Sequence, residues 1–329
     1  MGVIVASIGA GVALARGNAT PIGTGIVVVN TNLAYQNGQA AGTGMVLTSS
    51  GEVLTNNHVI SGATTIKVTV PKTSHTYTAK VVGYSKTADV AVLQLQSASN
   101  LKTISTSTAK LSVGATVTAL GNAGGTGTIA SATGRITGLG KTITAADDSG
   151  ASEQLTGLIE TNAAIQPGDS GGPLENSQSK VVGMDTAASS SVGGFQSVSA
   201  TDAYAIPIGK AVTIANAITA GKASATVHIG ATAFFGIEVA SVPTPGFGGG
   251  VSTPGALIAG VVPGGPADSA GLVAGDVITA INGTAISSPT SVGTFVLTQK
   301  PGAEVTVTYL DQSGTSQTAT VTLGSGPAQ

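Results

Sequence analysis

The stretch Gly168-Asp169-Ser170-Gly171-Gly172-Pro173 places one serine in a glycine-rich run. Because glycine carries no side chain, such a serine can present its hydroxyl group without steric cover. The backbone N–H groups at 168 and 170 can then turn toward one point beside that hydroxyl. An accessible oxygen next to two donors is what an acyl-transfer nucleophile needs. A polar Gly-Ser turn is the alternative interpretation, because such turns are common in glycine-rich proteins.

Two upstream stretches supply the groups that would activate Ser170. His58 lies in the run Thr55-Asn56-Asn57-His58-Val59-Ile60, and Asp89 precedes the apolar run Val90-Ala91-Val92-Leu93. An imidazole can take the serine proton near neutral pH, and a carboxylate on its other nitrogen fixes the tautomer. The order His, Asp, Ser along the chain is that of chymotrypsin-type enzymes. For Asp89, a solvated charge at a strand edge is the alternative interpretation.

These stretches resemble the HtrA (Deg) family, in which a trypsin-like serine protease domain precedes a PDZ domain. The same resemblance covers Gly42-Thr43-Gly44, Thr161 to Pro167 and Ala205-Ile206-Pro207-Ile208. It implies a mainly β chain with a chymotrypsin-like double β-barrel and a C-terminal PDZ domain. It implies His58 as general base, Asp89 as orienting acid and Ser170 as nucleophile. It further implies that the amides of Gly168 and Ser170 form the oxyanion hole.

The last hundred or so residues follow a different pattern that resembles a bacterial PDZ domain. Phe234-Phe235-Gly236-Ile237 matches the loop that receives a peptide's C-terminal carboxylate, and the strand edge after it would take the peptide by β-augmentation. A helix over 288–299 would flank this groove, with Val292, Phe295 or Val296 as pocket walls. An apolar strand end is the alternative for Phe234-Phe235. A Pro/Gly-rich insertion over 242–254 departs from the family pattern.

Composition limits the other functions that this chain could have. Charged residues make up 9% of its 329 residues, well below the roughly 25% of typical soluble domains. The net charge of −2 gives no basic surface for nucleic acid. The absence of cysteine excludes disulfides, thiol nucleophiles and thiolate metal sites. The three histidines, His58, His75 and His228, have no metal-ligand spacing, so we expect no metal and no cofactor.

The chain is long enough for two domains, and we expect three segments. Residues 1–20 form an apolar N-terminal segment, 21–221 the protease domain and 222–329 the PDZ domain. The first segment, at about 13 apolar residues, is shorter than the ~20 that span a bilayer. It fits a signal peptide, the remnant of a membrane anchor, or an N-terminal element of the folded enzyme. Membrane anchoring is expected, if at all, only through an N-terminus that is missing from this sequence or removed from the mature chain.

The resemblance implies a serine endopeptidase that acts on unfolded or damaged exported proteins. Its PDZ domain would bind the C-termini of substrates or activators, and a homo-oligomer, in this family commonly a trimer, is expected. The location would be extracytoplasmic and bacterial in type: secreted, periplasmic or in the cell envelope. Two alternatives remain. One is a regulated signalling protease with few substrates, and the other is a chaperone-like peptide binder with incidental proteolysis.

Three local features lead to further expectations. Ala164, six residues before Ser170, stands at the base of the primary pocket in chymotrypsin-like enzymes and offers no carboxylate to a basic substrate side chain. We therefore expect cleavage after small or branched apolar residues. Residues 141–153 are expected to form a polar, acidic loop, and 209–220 a helix. Asp169 stands where many relatives carry Asn and requires a partner; an active site ordered by a partner or by oligomerisation is one hypothesis.

Overall fold

The structure is a computed structural model that describes residues 23–36, 38–146, 152–188, 202–242 and 254–328. The chain divides into two compact units. The first unit runs to Gly230 and includes Ala328, and the second runs from Ala231 to Pro327. The predicted N-terminal segment over 1–20 lies outside the described residues.

The first half of the first unit is a sheet built mainly from six sequential strands. Its elements are β1 (Ile26–Leu33), β2 (Gly38–Val46), β3 (Glu52–Thr55), α1 (Asn57–Ile60), β4 (Thr65–Val70), β5 (His75–Ser85) and β6 (Val90–Leu95). The strand order is β13-β5-β4-β1-β2-β3-β6, in which β13 (His228–Ile229) comes from the end of the unit. Because β5 also pairs with β6, the six sequential strands return on themselves. In β1, β3 and β6 consecutive residues are buried, so both faces of these strands are packed, since strands place successive side chains on opposite faces.

The second half of the first unit is a closed antiparallel barrel with the order β10-β11-β12-β9-β8-β7. Its strands are β7 (Thr116–Gly121), β8 (Ala130–Ala146), β9 (Ser152–Thr161), β10 (Pro173–Asn176), β11 (Val181–Ala188) and β12 (Ala203–Pro207). The helix α2 (Ile208–Thr219) follows at the position predicted for it and buries Ile208, Ala211, Ala215 and Ile218. Short 3-10 turns lie at Ala34–Gln36 and Ala123–Gly125.

The prediction of a loop over 141–153 is wrong for most of its length. Residues 141–146 complete β8, residues 152 and 153 begin β9, and only 147–151 lie outside the described part. Lys141 pairs with Leu158 across the hairpin, and Ile143 pairs with Leu155. The segment is extended because it is paired with β9, although polar and small residues separate its few apolar side chains.

Apolar side chains fill the space inside the first unit in separate clusters. One cluster lies within the first sheet and contains Val29, Val53, Leu93 and their neighbours. A second combines Met45 and Leu54 from the first sheet with Met184, Ile206 and the buried face of α2. This second cluster joins the two halves of the unit, and it fixes the strand ends that carry the candidate site.

The second unit is a small β domain with two helices. Its elements are β14 (Thr232–Phe234), β15 (Ile237–Ser241), β16 (Ala256–Val261), α3 (Pro266–Ser269), β17 (Val277–Ile281), β18 (Thr284–Ala285), α4 (Pro289–Leu297), β19 (Glu304–Leu310), β20 (Ser316–Thr322) and β21 (Gly324–Gly326). The main sheet has the order β15-β16-β17-β19-β20, so β15 is an edge strand. The helix α4 begins after Ser288, whose side chain accepts a hydrogen bond from the N–H of Ser291.

The first unit extends through Gly230 rather than ending at 221, because β13 (His228–Ile229) pairs with Tyr84 and Gly83 of β5. Most of the insertion noted over 242–254 lies outside the described residues. No helix in the described ranges is long and apolar enough to cross a membrane. The expectation of a mainly β chain is confirmed by both units; of the double β-barrel expected in the first unit, the second half is a closed barrel and the first half is a sheet whose β5–β6 pairing brings it back on itself.

Candidate active site

His58 and Asp89 form a hydrogen-bonded pair. The imidazole Nδ1 lies 2.9 Å from Asp89 Oδ2, and the His58 backbone N–H donates to Asp89 Oδ1 at 3.0 Å. The short helix α1 carries His58, and the turn before β6 carries Asp89. The His58 side chain is 46% exposed, whereas that of Asp89 is 7% exposed. The carboxylate is therefore sheltered, and the imidazole reaches solvent where a substrate can meet it.

The backbone at Asp89 is held in an unusual conformation. Its φ of 52° lies in the left-handed region, which aspartate adopts more readily than most residues. Its N–H donates to Lys86 O at 2.9 Å, and its carbonyl accepts from Asn56 Nδ2 at 2.9 Å. Because Asn56 directly precedes α1, this bond ties the segment that carries His58 to the turn that carries Asp89.

The loop that carries Ser170, residues 166–172, is called the nucleophile loop after its candidate nucleophile, and it depends on two glycines. Gly168 has a φ of 97°, and a Cβ there would lie 2.2 Å from Asn122 O. Gly171 has a φ of 84°, and a Cβ there would lie 2.1 Å from Thr43 O. Both contacts are shorter than real Cβ atoms make, so these positions require glycine. The side chain of Thr43 completes the support by donating to Gly168 O at 2.8 Å.

Thr186 connects the nucleophile candidate to the His–Asp pair. Its hydroxyl donates a short hydrogen bond to Asp89 Oδ2, and its carbonyl oxygen accepts from Ser170 Oγ at 3.3 Å. The register between β11 and β12 shifts between Asp185 and Ala187, so Thr186 is the extra residue of a β-bulge. A bulge re-aims a side chain. This one gives Thr186 contacts with Asp89 and with Ser170.

The two amides predicted for the oxyanion hole lie on the same loop. In the described part of the chain, no hydrogen bond is donated by the backbone N–H of Gly168 or of Ser170. The intervening Asp169 N–H donates to Gln166 O at 2.9 Å, and the Ser170 carbonyl accepts from Thr43 N at 2.8 Å. The loop is thus held by the Asp169 N–H and the Ser170 carbonyl, and not by the N–H groups of Gly168 and Ser170 that are predicted to bind the oxyanion.

Asp169 has a partner within its own loop. Its Oδ2 accepts from the Gln166 N–H at 2.9 Å, and the residue is 1% exposed. It packs closely on Gly121, where an added Cβ would lie 2.6 Å from Asp169 Oδ1. The Asp169 carboxylate, for which the sequence predicts a partner, therefore caps the turn just before Ser170.

Ala164 lies exposed between buried Ala163 and Ile165, on the segment that leads into the nucleophile loop. The described ranges hold no group of three His, Cys, Asp or Glu side chains that could hold a metal ion.

In the second unit, the segment Phe234 to Ile237 connects β14 to the edge strand β15. Phe235 is buried in the domain core, whereas Phe234 is partly exposed. Gly236 has a φ of 79°, and its carbonyl accepts from Val262 N at 2.9 Å. No hydrogen bond within the described residues is donated by the backbone N–H of Phe235 or Gly236. Of the helix positions predicted to line the groove, Val292 is buried, and Phe295 and Val296 are partly buried.

Sequence reasoning did not find Thr186, Asn56 or Asp185 as parts of this site. Asn56 lies in the same run as His58, but its contact with Asp89 depends on a turn 33 positions away. Thr186 follows an apolar strand-like run, and nothing local distinguishes it from many other threonines. The signal that could have found it is its place near the end of β11, the second strand after the loop that carries Ser170.

Comparisons with known proteins agree with both units. Residues 42–184 match the family model of the trypsin-like peptidase domain, and residues 257–310 match that of the PDZ domain. Serine protease PepD of Mycobacterium tuberculosis is 34% identical over 313 residues, covering 91% of this chain and 63% of that protein. The chain belongs to the HtrA/Deg family of serine proteases. It carries the trypsin-like domain and one PDZ domain of that family.

Other relatives extend the comparison. A probable periplasmic serine protease of the do/HhoA-like type from Haemophilus influenzae is 36% identical, covering 84% of this chain and 56% of the relative. The chain thus spans about three-fifths of the length of the curated relatives that it matches. Among solved structures, the HtrA-type protease AlgW with a tripeptide matches with a TM-score of 0.52 and 27% identity. That match covers 92% of this HtrA-family chain and 94% of AlgW.

Proposed function

We propose that this HtrA-family chain is a serine endopeptidase in which His58 is the general base, Asp89 orients it and Ser170 is the nucleophile. The observation that carries the proposal is the double contact of Thr186, which bonds Asp89 through its hydroxyl and Ser170 through its carbonyl. Because His58 Nδ1 lies 2.9 Å from Asp89 Oδ2, hydrogen bonds connect His58 to Ser170 through Asp89 and Thr186.

The residues can share the chemistry as follows. Asp89 accepts a hydrogen bond from the N–H at His58 Nδ1 and stays ionised, so the unprotonated Nε2 can take the hydroxyl proton as Ser170 Oγ attacks the scissile carbonyl. The N–H groups of Gly168 and Ser170 donate to the oxyanion that forms. Protonated His58 then gives its proton to the leaving amine, and water hydrolyses the acyl-enzyme by the same route. For the first step, the Ser170 hydroxyl must leave Thr186 O and turn toward the imidazole.

The substrates proposed are unfolded or damaged exported proteins, and the PDZ domain would bind their C-termini. Edge strand β15 and helix α4 offer a place for an extended peptide, and the amides of Phe235 and Gly236 would receive its carboxylate. The apolar N-terminal segment, together with relatives that are named periplasmic, supports an extracytoplasmic location.

The direct test is turnover of unfolded casein by the purified chain and by Ser170→Ala. We expect the substitution to lower turnover by on the order of 10⁴ to 10⁶ while peptide binding persists. A variant that retained full proteolysis would refute the assignment of the nucleophile.

A regulated signalling protease is the second candidate, and the bond from Ser170 Oγ to Thr186 O favours it because the hydroxyl must be redirected before attack. Adding peptides with apolar C-termini separates the two functions. A constitutive quality-control protease would digest casein at the same rate with and without the peptide. A regulated enzyme would digest it only when the peptide is present.

We also propose that Ala164 determines preference for small or branched apolar residues on the acyl side of the cleaved bond. An unpaired cation buried in this pocket would be destabilised by several kcal/mol. In a peptide library, the natural chain should cleave mainly after Val, Ala or Thr. Ala164→Asp should add cleavage after Lys and Arg, and Ala164→Asn is the uncharged control. Dominant cleavage after basic residues by the natural chain would contradict the proposal.

A further inference from the structure

A buried acid directly behind the nucleophile loop has no part in the proposed chemistry. Asp185, on β11, has an exposed fraction of 0%. Neither of its carboxylate oxygens has a hydrogen-bond partner among the described residues. Burying an ionised carboxylate without a partner is strongly unfavourable, and such groups usually become neutral instead. The geometry therefore favours a protonated Asp185.

The backbone of Asp185 holds the nucleophile loop. Its N–H donates to Gly172 O at 2.8 Å, and its carbonyl accepts from Gly171 N at 2.9 Å. Gly171 directly follows Ser170. The next residue along β11 is Thr186, which contacts both Asp89 and Ser170. A displacement of Asp185 would therefore move Ser170 in two ways: through the backbone bonds to Gly171 and Gly172, and through the neighbouring Thr186, which contacts Ser170.

A second buried carboxyl group lies on that loop. Asp169 is 1% exposed, and its Oδ2 accepts from the Gln166 N–H. Burial raises the pKa of Asp185 well above its usual value, and the negative charge of Asp169 raises it further. If Asp169 and Asp185 were both ionised in this interior, they would repel each other. The folded protein is therefore most stable when one of the two carboxyl groups is protonated.

No cation in the described part of the chain neutralises Asp185. The titratable groups on the elements packed around it, besides Asp169, are Glu175 on β10, Tyr204 on β12, Lys210 on α2, and Asp89 with its partner His58 beyond Thr186. Tyr204 bonds to Glu160, and Lys210 bonds to Thr156 O at an exposed position. Lys180, just before β11, bonds to Ser105.

We infer that Asp185 is a positioning residue that keeps Ser170 in register only while its own carboxyl group is uncharged, which gives the active site an alkaline limit. The inference rests on the proposed function, because it takes Ser170 as the nucleophile. When the proton is lost at higher pH, repulsion from Asp169 is relieved by moving β11 away from the nucleophile loop. That movement breaks the bonds to Gly171 and Gly172.

The sign of the stability effect follows from linkage. The folded chain holds a proton on Asp185 that the unfolded chain releases near the ordinary value of 3.8. Stability therefore falls as pH rises from that value to the raised pKa of the folded state, and is constant above it. Asp185→Asn has no such proton, so its stability relative to the natural chain should increase over the same interval.

The test compares Asp185→Asn with the natural chain and with Asp202→Asn, a matched control at a partly exposed aspartate of the same unit. The ratio of kcat/KM between Asp185→Asn and the natural chain should be constant at low pH and then increase as pH rises through the raised pKa of Asp185, by about tenfold for each further pH unit, because the active protonated fraction falls tenfold per unit. Asp202→Asn should show a constant ratio. Melting temperatures measured on the Ser170→Ala background should diverge in the same direction, free of self-digestion.

A constant kcat/KM ratio together with a constant difference in melting temperature would overturn the inference, and so would the same trend in Asp202→Asn. If Asp185→Asn does not fold, Asp169→Asn decides, since removal of the neighbouring charge should also extend activity to higher pH. Fluorophosphonate labelling separates this failure from failure of the proposed function. Labelled Ser170 with a constant ratio refutes only the role of Asp185, whereas an unlabelled Ser170 refutes the catalytic assignment itself.

Discussion

Replacing Thr186 with valine tests how the site is held together. The substitution keeps the β-branched shape and the backbone carbonyl that accepts from Ser170 Oγ, but it removes the hydroxyl that donates to Asp89 Oδ2. Asp89 then keeps two of its donors, the Nδ1 and the backbone N–H of His58. The carboxylate would be less well fixed at the moment when the imidazole becomes positively charged.

The size of the effect follows from the burial of Asp89. Its side chain is only 7% exposed, so water cannot fully replace the lost donor. A hydrogen bond to a charged group contributes about 1.5–3 kcal/mol. If this amount is lost from the transition state, kcat should fall by about ten- to a hundredfold, since each 1.4 kcal/mol is a factor of ten. KM should change little, because Thr186 acts through Asp89 and not through substrate binding.

The assay is steady-state hydrolysis of a fluorogenic peptide, with Thr186→Ser as the control that restores the hydroxyl. We expect the serine variant to recover most of kcat. Thermal melting of each variant, on the Ser170→Ala background, shows whether the fold is intact. Unchanged kcat in a folded Thr186→Val protein would refute the reasoning, and so would an effect confined to KM.

Gly168→Ala should reduce turnover by more than about a hundredfold and lower the melting temperature, because its Cβ would lie 2.2 Å from Asn122 O at a φ of 97°; normal turnover would contradict the requirement for glycine. The pKa of Asp311 is lowered to about 2, first by its bond from the Ser313 hydroxyl, so its carboxylate stabilises the fold above pH 3.8 and loses this effect as pH falls through about 2. Asp311→Asn should therefore lower the melting temperature slightly near neutral pH and not below about pH 2, and an equal decrease at both pH values would be inconsistent with this. Phe295→Ala should weaken binding of C-terminal peptides with little loss of stability, whereas Val292→Ala, 3% exposed, should destabilise the PDZ domain by about 2 kcal/mol; the reverse pattern would place the groove elsewhere.

Parts of the candidate site could be predicted from the sequence because each candidate catalytic residue lies in a short run with a characteristic pattern. The glycine-rich run around Ser170 and the runs around His58 and Asp89 each combine a reactive side chain with a local backbone requirement. The helix α2 was predicted within one residue because its apolar positions follow a helical period and a glycine comes after it.

The remaining contacts depend on strand register and could not be predicted. Thr186 reaches Asp89 only because a bulge shifts the pairing of β11 with β12, and no local pattern encodes that bulge. The approach of Asp185 to Asp169 also requires the closed barrel. The sequence over 141–153 predicts a loop because Thr, Lys and Gly give little hydrophobic alternation, whereas 141–146 and 152–153 belong to strands. Its extended form comes from pairing along β9.

The most direct measurement of the central claim is covalent labelling with a fluorophosphonate, followed by peptide mass mapping. Ser170 should carry the label and no other serine should, and His58→Ala should lose labelling because the hydroxyl proton has no acceptor. Label on another serine, or undiminished labelling of Ser170→Ala, would contradict the account.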